Sequence, residues 1–301
     1  MSHAFSPVSE GDAVTLPAFD LLQPESLRKA LEFLDENRNA RPLAGGTCLL
    51  VDLRKRTTEA EILLDLTRVR DLRGIRIEED ELVIGAATTI AEVLADSLVE
   101  EHAGVLHDAC RTFAAPLVRN RATLGGNLVH ASPAADTAPP LLVLDASIEL
   151  QAIGRRRVVP ITNFFTGPCE STRREDEILT SVRIPIFNGV RHAYTKLGQR
   201  KADAISVVSV ACLAIPGEGP RIALGAVAPR PTRAWDAEEI LKGVELTPET
   251  AKLAAKVASE EARPIDDLRG SAAYRRREVE VLVRRCLRQL IDDQGGDVDG
   301  S

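Results

Sequence analysis

Aromatic residues are scarce in this sequence. Seven Phe, two Tyr and one Trp supply only 3% of its 301 residues. A flat ligand would find few rings to stack on. We therefore expect backbone groups and aliphatic side chains to carry much of any ligand recognition.

Clustered cysteines are also missing. The chain has no C-x-x-C pair, and its thiols are dispersed as Cys48, Cys110, Cys169, Cys212 and Cys286. This spacing excludes the usual zinc-ribbon and iron–sulfur patterns. An odd number of scattered thiols is typical of a reducing compartment, where cysteine behaves as a small apolar core residue.

The chain has no basic excess and no long apolar run. Lys and Arg number 38 against 45 Asp and Glu, a net charge of −7, which argues against a general nucleic-acid binder. No stretch of about 20 apolar residues could span a membrane, and residues 1–10 lack the regions of a secretory signal. We expect a cytoplasmic protein that binds small molecules or other proteins.

Hydrophobic periodicity predicts an α+β chain. Strands alternate with helices up to a boundary near residues 185–191, and strands precede helices after it, which argues against a doubly wound sheet. The predicted helices cover residues 26–34, 49–54 (capped by Thr47), 90–94, 104–113, 248–263 and 272–291. The predicted strands cover residues 62–66, 75–77, 82–85, 148–153, 157–159, 178–184, 206–215 and 222–227, with hairpins at 75–85 and 148–159.

Common catalytic signatures are absent as well. The sequence contains no G-x-G-x-x-G after a strand, no G-x-x-x-x-G-K-[ST], no H-E-x-x-H and no G-x-S-x-G. His102 and His107 lie off the i, i+4 spacing that places two ligands on one helix face. We therefore predict neither a metal site nor a catalytic acid–base residue.

Two glycine pairs stand out against this background. They lie in residues 44–47 (Ala-Gly-Gly-Thr) and 123–127 (Thr-Leu-Gly-Gly-Asn). A glycine pair lets main-chain N–H groups approach an anionic oxygen, and the neighbouring Thr and Asn add donors. Two such loops could clamp a diphosphate, whereas the simpler interpretation is that each pair makes a tight turn.

The sequence around both pairs resembles the FAD-binding medium subunits of molybdenum hydroxylases, the family of xanthine dehydrogenase and carbon monoxide dehydrogenase. Residues 42–50 (PLAGGTCLL) are similar to the family's first flavin loop, and residues 119–128 match its R-N-x-x-T-[IL]-G-G-N motif. Further matches follow in the family's order at residues 131–136, 194–201, 225–229 and 271–275. The resemblance thus spans essentially the whole chain.

The resemblance implies a fold in two domains. Residues 1–186 would form a PCMH-type (vanillyl-alcohol-oxidase-like) FAD-binding domain, with subdomains of about 1–66 and 67–186. Residues 187–292 would form a C-terminal flavoprotein domain of antiparallel sheet plus helices. The Asp/Gly-rich composition of residues 293–301 predicts a disordered tail.

The resemblance also implies a function in electron transfer. FAD on this chain would receive electrons from [2Fe–2S] clusters on a small partner subunit, themselves reduced at a molybdenum cofactor on a large subunit, and would pass them to an external acceptor. The complex would be a heterohexamer, a dimer of heterotrimers. A stand-alone FAD-dependent oxidoreductase of the same superfamily and a flavin-free scaffold subunit remain as alternatives.

Carried over position by position, the resemblance implies a set of cofactor-binding residues. Two loops would hold the FAD diphosphate through main-chain N–H groups: Leu43, Ala44, Gly45, Gly46, Thr47, Cys48, Leu49 and Leu50 in the first, and Thr123, Leu124, Gly125, Gly126 and Asn127 in the second. Asp136 would accept a hydrogen bond from a sugar-type hydroxyl, with a helix cap as the alternative. Phe113 and Leu179 match positions beside the cofactor, with core packing as the alternative.

Lys196 matches a family lysine near the isoalloxazine, where a cation would stabilise negative charge on the reduced flavin. An exposed lysine on a strand is the competing interpretation, and Tyr194 would share its strand face. We expect no redox role for Cys48, because no second thiol is nearby. We expect Arg119 and Arg121 to lie in a solvated loop and His130 to be structural.

Overall fold

A small parallel sheet forms the first part of the chain. The computed structural model describes residues 15–200 and 203–295, so the prediction about a signal in residues 1–10 lies outside it. β1 and β2 each pair in parallel with the central β3. The elements are β1 (Asp20–Leu22), α1 (Leu27–Glu36), β2 (Ala40–Leu43), α2 (Leu49–Arg54) and β3 (Ile62–Asp65).

Helix α1 lies where the periodicity predicts it, and it packs onto this sheet. The Ser26 side chain caps it by accepting a hydrogen bond from the Lys29 N–H at 3.3 Å. Leu31 and Leu34 share a buried cluster with Leu64 of β3. Because β2 ends beside the end of β3, the first glycine pair begins at the carboxyl edge of the sheet.

The middle of the chain folds around a five-stranded antiparallel sheet in the order β4-β5-β10-β6-β7. The β4–β5 and β6–β7 pairs confirm both predicted hairpins. Its elements are β4 (Ile75–Glu78), β5 (Glu81–Gly85), α3 (Ile90–Ala95), α4 (Ser97–His102), α5 (Gly104–Thr112), α6 (Pro116–Arg119), α7 (Leu124–His130), α8 (Ala138–Val143), β6 (Ser147–Ala152), β7 (Arg155–Pro160), β8 (Phe165–Gly167), β9 (Glu170–Ser171) and β10 (Ile178–Pro185). Buried side chains of these helices and strands form one core.

The last part contains a four-stranded antiparallel sheet in the order β11-β12-β13-β14, followed by helices, as predicted. Its elements are β11 (Arg191–Gly198), β12 (Ser206–Ala214), β13 (Arg221–Gly225), β14 (Thr232–Arg233), α9 (Trp235–Leu241), α10 (Pro248–Glu261) and α11 (Ala272–Gly295). Helix α11 continues to Gly295, past the predicted start of the tail at 293, and residues 296–301 lie outside the described part.

The sheet of the last part is covered on both faces. Cys212 of β12 packs in the core formed with α10 and α11, whereas Ala211 and Leu213 pack in the core of the middle part. This alternation follows from the two-residue period of a strand. The same alternation applies to β11. Thr195 contacts Cys286 of α11, whereas the next residue, Lys196, donates to the Thr112 carbonyl at the end of α5.

The prediction of an α+β chain is confirmed by these three sheets with their flanking helices. Among the residues that the structure describes, no helix is both long enough and apolar enough to cross a membrane.

Candidate cofactor site

The first glycine loop leaves a series of main-chain amides without partners. Gly46 adopts a φ of 73°, a left-handed conformation that glycine accepts at no steric cost, and Cys48 follows in the right-handed region. Within the described residues, the N–H groups of Gly46, Thr47, Cys48 and Leu49 donate to no protein acceptor. Successive N–H groups in such a turn form a concave site for an anion.

Helix α2 begins at Leu49, as predicted, but its cap differs from the prediction. The N-cap residue is Cys48, and it makes no side-chain capping bond, so Thr47 does not cap the helix. The Leu49 N–H at its start is therefore available to a ligand, whereas the Leu50 N–H donates to the Gly46 carbonyl at 3.2 Å. A helix N-terminus with free N–H groups favours negative charge.

The second glycine pair opens a helix, so the turn predicted at residues 123–127 is wrong. Helix α7 begins at Leu124, and Thr123 Oγ1 caps it by accepting from the Gly126 N–H at 3.1 Å. The amides of Leu124 and Gly125 donate to carbonyl oxygens in the segment after β5, at 3.0 and 2.9 Å. The N–H groups of Leu124, Gly125, Gly126 and Asn127, which were predicted to bind the diphosphate, thus already have acceptors inside the protein.

Two of the glycines allow backbones to touch. A Cβ at Gly45 would lie 1.9 Å from the carbonyl oxygen of Arg121, which shows that the first loop packs directly on the residues before the second. A Cβ at Gly125 would lie 2.6 Å from the Ala86 Cβ. Gly45 therefore lets the first loop pack on the residues before α7, and Gly125 lets α7 pack on the segment after β5.

Gly126 differs from them, because its side-chain position faces a gap. A Cβ there would meet only Thr123 Oγ1 at 2.8 Å and the Ala44 Cβ at 3.9 Å. Ala44 belongs to the first loop, so Gly126 lies at the narrow gap between the first loop and α7. The absence of a side chain keeps this space open.

Replacing Gly45 with Ala should destabilise the fold by about 2–3 kcal/mol, because the new methyl group forces the Arg121 carbonyl away. Urea denaturation measures this loss. Gly126→Ala is the comparison variant: its methyl group would displace only the Thr123 hydroxyl, 2.8 Å away, so its stability should stay within about 1 kcal/mol of the wild type. A Gly45→Ala chain as stable as the control would contradict the observed packing.

Asn127 is oriented by a threonine that sequence reasoning did not single out. The buried Thr137 hydroxyl donates to Asn127 Oδ1 at 2.7 Å. Because this bond occupies the amide oxygen, the Nδ2 group of Asn127 remains as a donor for a ligand. The only feature of the sequence that could have pointed to Thr137 is its position directly after Asp136.

Asp136 and Lys196 form a buried ion pair. The Lys196 Nζ lies 2.6 Å from Asp136 Oδ2, and their side chains are 7% and 8% exposed. The Ser206 hydroxyl donates to the other carboxylate oxygen, and Lys196 also donates to the Thr112 carbonyl at 3.2 Å. The alternatives of a capping Asp136 and an exposed Lys196 are therefore wrong, and Ser206 is a site residue that the sequence analysis missed.

The charges of this pair compensate each other. Burial raises the pKa of Asp136, and it outweighs the attraction of Lys196 and the hydrogen bond from Ser206. Burial together with the Asp136 charge raises the pKa of Cys110 to about 12, so this thiol stays protonated. Because Asp136 compensates its charge, Lys196 presents itself to a ligand mainly as a hydrogen-bond donor and not as a free positive charge.

Two buried hydroxyl groups beside this pair lack partners. In the described part of the chain, neither Tyr194 Oη nor Ser209 Oγ makes a hydrogen bond. Burial, together with the nearby charge of Asp136, raises the pKa of Tyr194 well above its usual value. Unsatisfied buried hydroxyls cost free energy, so this region is suited to a polar ligand atom or a water molecule.

Phe113 and Leu179 are buried in the core of the middle part, as the alternative interpretation predicted. Arg119 does not lie free in solvent. It donates to the carbonyls of Phe113 and Ala114 at 2.8 and 3.2 Å, which fixes the turn after α5, where Ala114 has a φ of 38°. A cofactor contact by Phe113 or Leu179 stays a prediction.

The expectation that Cys48 has no thiol near it is wrong. Cys169, although distant in sequence, lies close enough for its charge to contribute to the raised pKa of Cys48, after the larger effects of burial and Asp52. Burial and Asp52 also raise the pKa of Cys169. Both thiols are thus held protonated, and neither is activated as a nucleophile.

His130 lies at the end of α7, with its Nδ1 3.9 Å from Asp52 Oδ2. No group of three or more His, Cys, Asp or Glu side chains that could hold a metal occurs in residues 15–200 and 203–295.

Comparisons with known proteins match this architecture along the chain. Residues 17–187 match the family model described as the FAD binding domain in molybdopterin dehydrogenase, and residues 192–290 match the CO dehydrogenase flavoprotein C-terminal domain. The glyceraldehyde dehydrogenase medium chain of Sulfolobus acidocaldarius is 33% identical, covering 91% of this chain and 99% of its own. The carbon monoxide dehydrogenase medium chain of Hydrogenophaga pseudoflava is 33% identical, covering 90% and 96%.

Solved structures agree with the sequence matches. A structure of carbon monoxide dehydrogenase from Hydrogenophaga pseudoflava superposes with a TM-score of 0.89 at 33% identity, covering 92% of this chain and 99% of that one. Quinoline 2-oxidoreductase from Pseudomonas putida 86 gives a TM-score of 0.87 at 30% identity, covering 93% and 99%. The chain therefore belongs to the family of FAD-binding medium subunits of molybdenum hydroxylases.

Proposed function

We propose that this chain holds FAD between its first glycine loop and the start of α7, and that it transfers electrons through this cofactor. The observation that carries the proposal is the run of unpaired amides from Gly46 to Leu49 beside the open space at Gly126. The described residues leave these amides without acceptors, and a diphosphate supplies several anionic oxygens.

Different parts of the chain would contribute to FAD binding in different ways. The first loop would hold the diphosphate through main-chain N–H groups, and the Asn127 Nδ2 group adds a side-chain donor. The second loop contributes shape, because its helix amides are already paired. This arrangement needs few aromatic rings, in agreement with the 3% aromatic content.

Bound FAD would supply the chemistry of accepting and releasing electrons. The chain's part is to set the electrostatic surroundings. The Asp136–Lys196 pair places a fixed and nearly neutral dipole in the site, and Ser206 holds the carboxylate in position. A contact of Lys196 and Tyr194 with the isoalloxazine, and of Asp136 with a cofactor hydroxyl, belongs to this proposal.

The partners follow from the relatives. Those from Sulfolobus acidocaldarius and Hydrogenophaga pseudoflava are named medium chains, which implies further chains in their complexes. We extend this to a large subunit with a molybdenum cofactor and a small subunit with [2Fe–2S] clusters, assembled with this chain into a heterohexamer. The dispersed cysteines support a location of the clusters on another chain.

The purified full chain should bind one FAD per molecule and show the visible absorption bands of a flavin. The test is an absorption spectrum before and after FAD is added and excess cofactor is removed, with the released flavin identified by chromatography. A chain that remains without flavin after this treatment would refute the proposal. Co-purification of the molybdenum and iron–sulfur subunits from native extract tests the complex separately.

A further inference from the structure

A second site lies at the other edge of the parallel sheet. A cavity of about 510 Å³ opens where β2 and β3 begin, between these strands and the segment around Arg173. Since β2 runs from this cavity to the first glycine loop, the strand separates the two sites by roughly 10 Å. The cavity has the size of a small-molecule site.

Four arginines contribute to its lining: Arg38, Arg41, Arg56 and Arg173. Arg173 is the deepest of them. Its Nη1 group donates to main-chain carbonyls of the same loop, including those of Arg174 at 2.8 Å and Glu177 at 2.7 Å. These bonds fix the guanidinium in place without neutralising it, because a carbonyl oxygen carries no full charge.

Positive charges oppose each other in this cavity. Burial, followed by the charge of Arg41, lowers the pKa of Arg173, even though the carboxylates of residues 175–177 act in the other direction. Within the described residues, Arg41 and Arg56 make no ion pair, whereas Arg38 is paired with Asp35 and Asp176. Arg41 and Arg56, which have no carboxylate partner among the described residues, are suited to bind an anion in this cavity.

The lining also contains three acidic residues. Glu61 is engaged, because it accepts a hydrogen bond from Asn39 at 2.7 Å. Glu59 and Glu175 make no side-chain hydrogen bond in the part of the chain that the structure describes. These carboxylates can accept hydrogen bonds from hydroxyl or amino groups of a ligand. The site therefore offers donors for an anionic group next to acceptors for a polar remainder.

We propose that this cavity binds a small phosphorylated molecule, with its phosphoryl group between Arg41, Arg56 and the remaining N–H groups of Arg173. The planar guanidinium fork matches phosphate oxygens in pairs. Glu59 and Glu175 would bind the hydroxyl or amino groups of the same ligand. This site is separate from the FAD site and does not depend on the proposed function.

The test is a calorimetric titration of the FAD-saturated full chain with inorganic pyrophosphate, so that the first glycine loop is already occupied. We expect one binding event per chain that weakens with added salt. Arg41→Gln should weaken it by about tenfold or more. Arg54→Gln, which removes an exposed arginine of α2 outside the cavity, should bind like the wild type.

Absence of binding, or equal loss in the Arg41→Gln and Arg54→Gln variants, would overturn the proposal. Thermal unfolding separates a ligand role from a structural one. Without pyrophosphate, Arg41→Gln should keep or raise the Tm, because it removes repulsion from Arg173. A lower Tm would mean that Arg41 serves the fold, and it would also count against the site. If the chain takes up no FAD, pyrophosphate binding by Arg41→Gln and Arg54→Gln is compared on the chain as purified, and the same outcomes support or overturn the proposal.

Discussion

Replacing Lys196 with Met should destabilise the chain by about 3–5 kcal/mol at neutral pH. The substitution keeps an apolar stem of similar length but removes the ammonium that lies 2.6 Å from Asp136 Oδ2. The carboxylate would remain buried with Ser206 as its hydrogen-bond donor. Urea denaturation at neutral pH measures this effect.

The pH dependence of this loss identifies its cause. Burial already raises the pKa of Asp136, and removal of the positive partner raises it further. The folded variant then binds a proton more tightly than the unfolded chain does, so its stability falls as the pH rises through the folded-state pKa. The deficit relative to the wild type should therefore be smaller at about pH 5 than at about pH 8.

A second substitution provides the matched control. Asp136→Asn combined with Lys196→Met removes both charges, so the double variant should recover much of the stability that Lys196→Met loses. A deficit that is independent of pH, or a double variant less stable than Lys196→Met, would mean that packing of the lysine stem matters more than the charge. The buried ion pair would then not control this part of the site.

Local patterns predict much of the fold. Helix α1 follows from the spacing of Leu27, Leu31 and Leu34 after Ser26, and both hairpins follow from short apolar runs around polar turns. The start of α7 could not be predicted this way, because two adjacent glycines are unfavourable in a helix. It forms because the Gly125 N–H bonds the Ala86 carbonyl, a contact between distant segments.

The candidate site shows the same division between local and distant information. The glycine loops are visible in the sequence, and the family resemblance assigns them to FAD. The Asp136–Lys196 pair joins residues 60 positions apart, and its bond to Ser206 spans 70 positions. The proximity of Cys48 and Cys169 has the same origin. One sequence contains no signal for such pairings, because they depend on how separate parts of the chain pack on one another.

Gly126→Val should reduce the affinity for FAD by at least about 100-fold, or about 3 kcal/mol, while the chain stays folded. The branched side chain would occupy the narrow gap between Gly126 of α7 and Ala44 of the first loop. Its main contact inside the protein would be Thr123 Oγ1, the group that caps α7. We therefore expect a stability change of no more than about 1 kcal/mol, the usual contribution of such a cap.

Equilibrium titration of FAD onto the variant, followed by the change in flavin fluorescence, gives the affinity, and circular dichroism reports the fold. Gly126→Ala is the graded control and should fall between the wild type and Gly126→Val, because one methyl group fills only part of the gap. Wild-type affinity in a folded Gly126→Val chain would place the cofactor elsewhere. Because Gly45→Ala is expected to weaken the fold itself, the two variants together separate loss of the cofactor from loss of the loop packing that shapes its site.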